Sequence, residues 1–292
     1  MTEAHRAAVP AWWRRESFQE QTVRAVTHLF LVIAGLILMI PFLWVISTSL
    51  KQDYEVYVTP IRWIPRSPVW GNYIRVFAEN PLGTFLLNST KVVLGCLIGD
   101  VLVVSLIAYG FARLRAPGRD VLFLIVLSTM MLPRQVTLVP TYVLFKHLGW
   151  VDQLRALIVP NLLGGSAFYI FLMRQFFQTI TLELDDAAKI DGCSLLGVYW
   201  RIVLPLSRPV LGIVAVFSFL GHWQAFLWPL ILLNSWHKYT IAIGLRFFQS
   251  MSRTDYPGLM AATLITVLPC IVLFFFTQRY FIQGIVFTGV KG

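Results

Sequence analysis

The chain has 292 residues, of which 57% are hydrophobic and only 13% charged. A soluble domain carries about a quarter charged residues, so no soluble core could bury this much apolar side chain, and the composition implies a polytopic membrane protein. The net charge of +10 lies between apolar runs rather than along one amphipathic face, which points to membrane orientation and away from a nucleic-acid partner.

Crossing about 30 Å of hydrocarbon takes roughly 20 apolar residues. Such stretches occur near 29–49, 85–111, 121–144, 156–177, 210–233 and 259–281, which predicts six transmembrane helices and an all-α fold. Residues 1–24 form a cytoplasmic tail ahead of a membrane domain over 25–292. The first span is too long, and too lacking in a small-residue cleavage site, to be a removable signal peptide. Orientation follows from Lys and Arg in the connections. Arg6, Arg14, Arg15 and Arg24 precede the first span, Arg113, Arg115 and Arg119 fill a short second connection, and Arg174, Lys189, Arg201 and Arg208 surround the fourth. This places both termini and the 178–209 connection in the cytoplasm. Cys96, Cys193 and Cys270 are far apart with no CxxC, and the five histidines show no ligand spacing, so neither a disulfide nor a metal is expected.

Two charged residues stand out inside apolar stretches, and Lys91 lies nearer an end. Asp100 lies well within the second, and Arg134 sits between Pro133 and Pro140 in the third. An ionised side chain there costs at least about 2.5–3.5 kcal/mol unless paired or hydrated. Two readings stand: an ion pair between them, or a hydrated path that both line. The outer loop, with Trp63, Pro65, Pro68 and Trp70, is either a docking surface or packed on its own bundle.

The fourth connection is too apolar for a loop. Asp185 and Asp186 suit a helix N-terminus, Ala187 and Ala188 propagate the helix, and Gly192 is placed to end it in a left-handed conformation. Ser194 can cap a second helix that Pro205 should stop. That helix carries one apolar stripe of Leu195, Val198, Tyr199 and Ile202 and another of Leu196, Trp200 and Val203. One stripe can pack on the protein itself; the other needs either a partner's groove or the membrane interface. On the fifth stretch, Trp223, Gln224, Trp228 and Asn234 supply the flat rings and planar amides that a sugar site uses, though tryptophans also anchor span ends.

Asp186-Ala187-Ala188, then Asp191-Gly192, then Ile202-Val203-Leu204-Pro205 resembles the EAA loop of ABC importer permeases, with Asp in place of the usual Glu. Ala108-Tyr-Gly-Phe-Ala-Arg-Leu-Arg-Ala-Pro-Gly-Arg119, Met131 through Tyr142, Trp223 through Leu230, and the terminal Gly289-Val-Lys-Gly292 are similar to the maltose-type, carbohydrate branch. The resemblance implies a type I ABC importer permease fold in the bacterial inner membrane. It also implies a homologous second permease, a cytoplasmic ATPase dimer, an extracytoplasmic binding protein and a carbohydrate substrate. It gives Asp186, Ala187, Ala188, Asp191, Gly192, Leu195, Tyr199, Leu204 and Pro205 a role in coupling to the ATPase. No GxxxxGK[ST] run is present, so ATP-Mg belongs on the partner chain and no catalysis or cofactor is expected here. The same loop leaves an amino-acid or peptide importer open, and an ion-coupled secondary transporter remains the rival from another class.

Overall fold

The computed structural model describes residues 18–133, 135–249 and 254–286, and side chains from 20 to 278 within these. The helices run in chain order as α1 (Phe18–Ser49), α2 (Asn72–Ala78), α3 (Leu82–Ile98), α4 (Val104–Arg113), α5 (Arg119–Ser128), α6 (Leu138–His147), α7 (Arg155–Leu162) and α8 (Ala167–Thr179). There follow α9 (Leu182–Ile190), α10 (Leu195–Val198), α11 (Leu204–Leu206), α12 (Arg208–Trp223), α13 (Leu227–Leu232), α14 (Ile241–Gly244) and α15 (Tyr256–Val286). Among the described residues the only β pairing is an isolated bridge between Gln249 and Thr254. The Gly289–Gly292 run lies outside the described residues.

Among the described residues, four helical stretches are long and apolar enough to cross a membrane: Glu20–Ser49, Leu82–Arg113, Arg155–Thr179 and Tyr256–Gln278. Leu195–Leu206 and Arg208–Trp223 make a fifth if the pair, bent by 78°, counts as one. The third and fifth expected spans are not single helices. α5 gives way to a 3-10 turn at Thr129–Met131 and the helix resumes only at Leu138. Pro133 has no N–H to return to Thr129, so the ladder cannot continue there. Likewise Pro229 has no N–H for Ala225, and residues 224–226 separate α12 from α13. Each interruption is short and flanked by strongly apolar sequence, so a window average of hydropathy merges the pieces on either side.

α3 and α4 form the spine of the bundle. They are joined through a π turn over Gly99–Val103, in which the Val104 N–H reaches back to the Gly99 carbonyl. α3 packs on α7 and α12, α4 on α8, and α15 on α1, α2 and α12. Gly99 permits the α3–α7 approach, because a Cβ there would sit 2.3 Å from the Asn161 carbonyl oxygen. Besides a smaller cluster around Phe145, Ala156 and Leu232, two large apolar cores result. One, around Tyr109, Phe123, Met173, Phe177, Tyr199 and Val214, lies at the end of the bundle that carries α9–α11. The other, around Val76, Phe85, Trp223, Ile241 and Ala261, lies at the opposite end. α1 shows the reverse pattern, with Phe30, Leu36 and Leu38 fully outward and packing confined to its α15 side. A helix apolar all round and exposed on most of its surface is suited to lipid rather than water.

Candidate functional site

The apolar connection is built as expected up to a point. Gly192 ends α9 at φ +81°, and the Gly192 and Cys193 N–H groups bond the Lys189 and Ala188 carbonyls at 3.0 and 2.9 Å. That pattern is a Schellman stop, which needs the left-handed residue to be glycine or close to it. Ser194 then caps the next helix, its hydroxyl accepting from the Gly197 N–H at 3.1 Å. Pro205 does not stop that helix. A π turn over Tyr199–Val203 precedes it, with the Leu204 N–H bonded to the Tyr199 carbonyl, and helical structure runs on through α11 to Leu206. The break falls at Ser207, where the chain turns into α12.

The π turn also rearranges the two apolar stripes. Val198, Tyr199 and Val203 are buried against the bundle, while Leu195, Leu196 and Trp200 are each more than half exposed. Ile190 at 87% and Leu182 at 56% exposure on α9 add to the exposed apolar side chains of this connection. Of the residues expected to couple, Asp186, Ala187, Asp191, Gly192, Leu195 and Pro205 are exposed, and Leu204 is half-buried. Ala188 and Tyr199 point inward. Tyr199 therefore positions the loop from beneath: its hydroxyl bonds Ser105 at 2.7 Å and its ring packs on Tyr109 at 5.2 Å.

Sequence reading missed what fastens this loop to the spine. Arg113, nearly fully buried, lies 3.5 Å from the equally buried carboxylate of Asp185 and donates to the Ile180 carbonyl at 2.7 Å. Four residues earlier on α4, the Tyr109 hydroxyl donates to the Leu195 carbonyl at 2.9 Å. Asp185 is thus an ion-pair partner rather than a helix cap, and Arg113 is more than an orientation charge. Among the described residues Asp186 pairs only with the exposed Lys189 at 3.0 Å, a contact of little energetic weight.

Between the two cores lies a cavity of about 590 Å³, walled by α3, α6, α7, α8, α12 and α13. Asp100, carried by the π turn between α3 and α4, is fully buried at its wall. Its Oδ2 accepts from the Ser218 hydroxyl at 2.7 Å and lies 3.1 Å from His222 Nε2. Arg134 lies outside the described residues. His222 was not singled out from sequence, and 122 residues separate it from Asp100. Trp228 lines the cavity. Trp223 does not: it is buried in the opposite core, stacked on Phe219, with its indole N–H bonded to the Thr266 carbonyl at 3.1 Å. Gln224 is exposed outside the cavity lining, and Asn234 belongs to the loop that closes on Asp152.

At the end away from α9–α11, the outer loop divides. Trp63 packs edge-on against Trp44 at 5.2 Å, whereas Trp70 is 69% exposed. Nearby, Asp152 Oδ1 accepts from the Asn234 and Ser235 N–H groups, both at 2.9 Å, and Oδ2 from the Ser235 hydroxyl at 2.5 Å and Lys238 Nζ at 3.3 Å. Burial alone raises this carboxyl's pKa, but these donors outweigh burial and hold it well below the usual carboxylate range.

Residues 91–286 match the family model described as "binding-protein-dependent transport system inner membrane component". The chain is similar to the arabinooligosaccharides transport system permease protein AraQ of Halalkalibacterium halodurans, 34% identical over 259 residues, covering 88% of this chain and 92% of the relative. It is 32% identical over 267 residues to the sn-glycerol-3-phosphate transport system permease protein UgpE of Yersinia pestis, covering 89% and 94% of the two chains. A solved bacterial ABC transporter that imports the acidic polysaccharide alginate matches with a TM-score of 0.81 at 21% identity, over 91% of this chain and 99% of that one, which speaks for a shared fold.

Proposed function

This chain belongs to the family of binding-protein-dependent transport system inner membrane components, and from that premise we propose how it works within its importer. It is an inner-membrane permease subunit of an ABC importer, and the solute we assign to it is a carbohydrate or polyol. Six crossings enclose half of the pathway, the broken α5–α6 and α12–α13 segments serving as the third and fifth. The α9–α11 end faces the cytoplasm. A second, related permease completes the pathway, an extracytoplasmic protein delivers the solute, and two ATPase subunits supply the energy.

The observation that carries this reading is the exposure of the large apolar side chains Ile190, Leu195, Leu196 and Trp200 on a loop otherwise bonded firmly to the spine. Such exposure to water is unfavourable, and a helix laid into another protein's groove relieves it. Coupling is then linkage: ATP favours one state of the ATPase pair, and a docked, fastened helix passes that preference to α4 and α8.

The test is purification of the tagged chain from its native membranes in mild detergent, with mass spectrometry of what accompanies it. A second permease and an ATPase are expected. Trp200→Glu should reduce ATPase recovery more than about tenfold while the second permease remains, since buried tryptophans dominate such interfaces. Gly192→Asp should do the same through the backbone, because open space surrounds a Cβ there and only the left-handed φ resists it. A single chain that purifies alone, or full ATPase recovery in both variants, overturns the reading.

A further inference from the structure

The carboxylate of Asp100 is closed off from the cavity that its residue borders. The side chain is fully buried, and Oδ1 has almost no surface left. Gly165, at φ +57° between α7 and α8, covers that side: a Cβ there would sit 2.8 Å from Oδ1 and 2.6 Å from Val104 Cγ2. An acid inside a membrane span is costly, and here no solute can reach it to repay that cost. Its use lies in what it holds.

Both groups that it holds stand on α12. Ser218 donates to Oδ2 at 2.7 Å, and His222 Nε2 lies 3.1 Å from the same oxygen, which favours the proton on that ring nitrogen. Among the described residues, the hydrogen bonds between α12 and the α3–α4 spine both end on this carboxylate, while Phe85, Val93, Phe219 and Trp223 add apolar packing. Apolar contact is non-directional and tolerates small slips, whereas charge-assisted hydrogen bonds hold one register.

The two helices joined in this way are the two that carry the α9–α11 connection. α4 is bonded to it through Tyr109 and Arg113, and α12 continues from α11 across the Ser207 bend. Asp100 lies roughly 13 Å along the spine from Tyr109, and Ser218 roughly 15 Å along α12 from Arg208. Two routes of similar length therefore leave the connection and meet again at the cavity wall, where Gly221, His222 and Ala225 border the open space.

We infer that Asp100, through Ser218 and His222, is the brace that makes the spine and α12 answer the α9–α11 connection as one body, so that a shift at that connection reaches the cavity wall around Ala225. Asp100 is a positioning residue and touches no solute. The inference rests on the importer reading above and deepens it by placing the coupling at mid-membrane.

The test uses the assembled permease–ATPase complex in nanodiscs, with the native cysteines replaced and a single cysteine at Ala225. Maleimide labelling of that cysteine is timed without nucleotide and after trapping with ATP-Mg and vanadate, and ATP hydrolysis is measured on the same samples. In the parent complex trapping should change the labelling rate at least about fivefold, within the usual range of coupling between sites. Asp100→Leu keeps a similar volume and removes a buried charge, a change that cores often accept. In Asp100→Leu and in His222→Leu the change on trapping should shrink to less than about twofold, with hydrolysis within about twofold of the parent. His222→Gln, which can return an N–H to the carboxylate, should keep the response. A merely structural role would instead lower complex recovery, hydrolysis and response together. The inference is overturned by that joint loss, by a parent whose labelling ignores trapping, by Asp100→Leu or His222→Leu keeping the full response, or by His222→Gln losing it. If Asp100→Leu does not assemble, the two His222 variants decide. Failure of the importer reading shows earlier, as a chain with which no ATPase purifies and no vanadate-sensitive hydrolysis appears.

Discussion

Asp152 shows how much a single acidic side chain can organise. It stands at φ +59° without being glycine, and its carboxylate gathers two backbone amides, a hydroxyl and an ammonium from residues 234–238. Because its pKa is lowered on folding, the stabilisation is full above the ordinary carboxylate pKa and fades as pH falls below about 4. Asp152→Ala should therefore lower the thermal midpoint of the purified complex at pH 7, and the gap from wild type should shrink as the buffer is taken from pH 5 toward pH 3. A gap that stays constant over that range would show that the carboxylate's charge is irrelevant there. At this scale residue types were legible but their partners were not. Asp100 stood out because an acid in an apolar run is costly, yet nothing in the local pattern pointed to His222. Trp223 and Trp228 looked alike as aromatic residues on one span, and only packing separates the core side chain from the cavity wall.

At the scale of elements, local signals were the readable ones. A left-handed glycine, a serine cap and the helices on either side of them depend on neighbours a few residues apart, so the α9–α10 turn could be anticipated at residue level. The π turns could not, since their extra residue is accommodated by tertiary contacts such as Ser105–Tyr199. Nor could the fastening of the loop, which links residues 72 positions apart. Removing one member of a buried ion pair leaves the other uncompensated and costs roughly 3–5 kcal/mol, whereas replacing both with apolar groups can be close to neutral. Arg113→Ala should accordingly reduce thermal stability strongly and abolish solute-stimulated ATP hydrolysis in the complex. An Arg113→Met/Asp185→Leu double variant should regain most of the thermal midpoint. If the double variant is no better than the single, the pair is not acting as a unit.

Over the whole molecule, the two ends of the bundle differ in kind. Arg113, Arg115, Arg119, Arg174, Lys189, Arg201 and Arg208 gather with α9–α11, and the opposite end holds the aromatic outer loop and the Asp152 turn. With the native cysteines replaced, single cysteines at Arg62 and Trp236 should react with a membrane-impermeant maleimide in intact spheroplasts, and those at Ala116 and Ile190 only after permeabilisation. The reverse pattern would invert the orientation, and labelling of all four from outside would remove the six crossings. Composition made the membrane class plain, and six apolar stretches made the crossing number an expectation. Which of those stretches are continuous helix is decided by where proline withholds an N–H, and by what packs beside the gap. The π turn at Gly99–Val103 has a final consequence for how this chain can vary. Each residue advances an α-helix by about 100°, so the surplus residue sets the phase between α3 and α4. Deleting one residue there would shorten no loop. It would swing one half of the spine by about that angle relative to the other, and Asp100 could keep its place at the cavity only if Tyr109 and Arg113 gave up theirs at the loop. Single-residue gaps should therefore be tolerated in the connections and excluded from this stretch, although by composition it looks like any other piece of apolar helix.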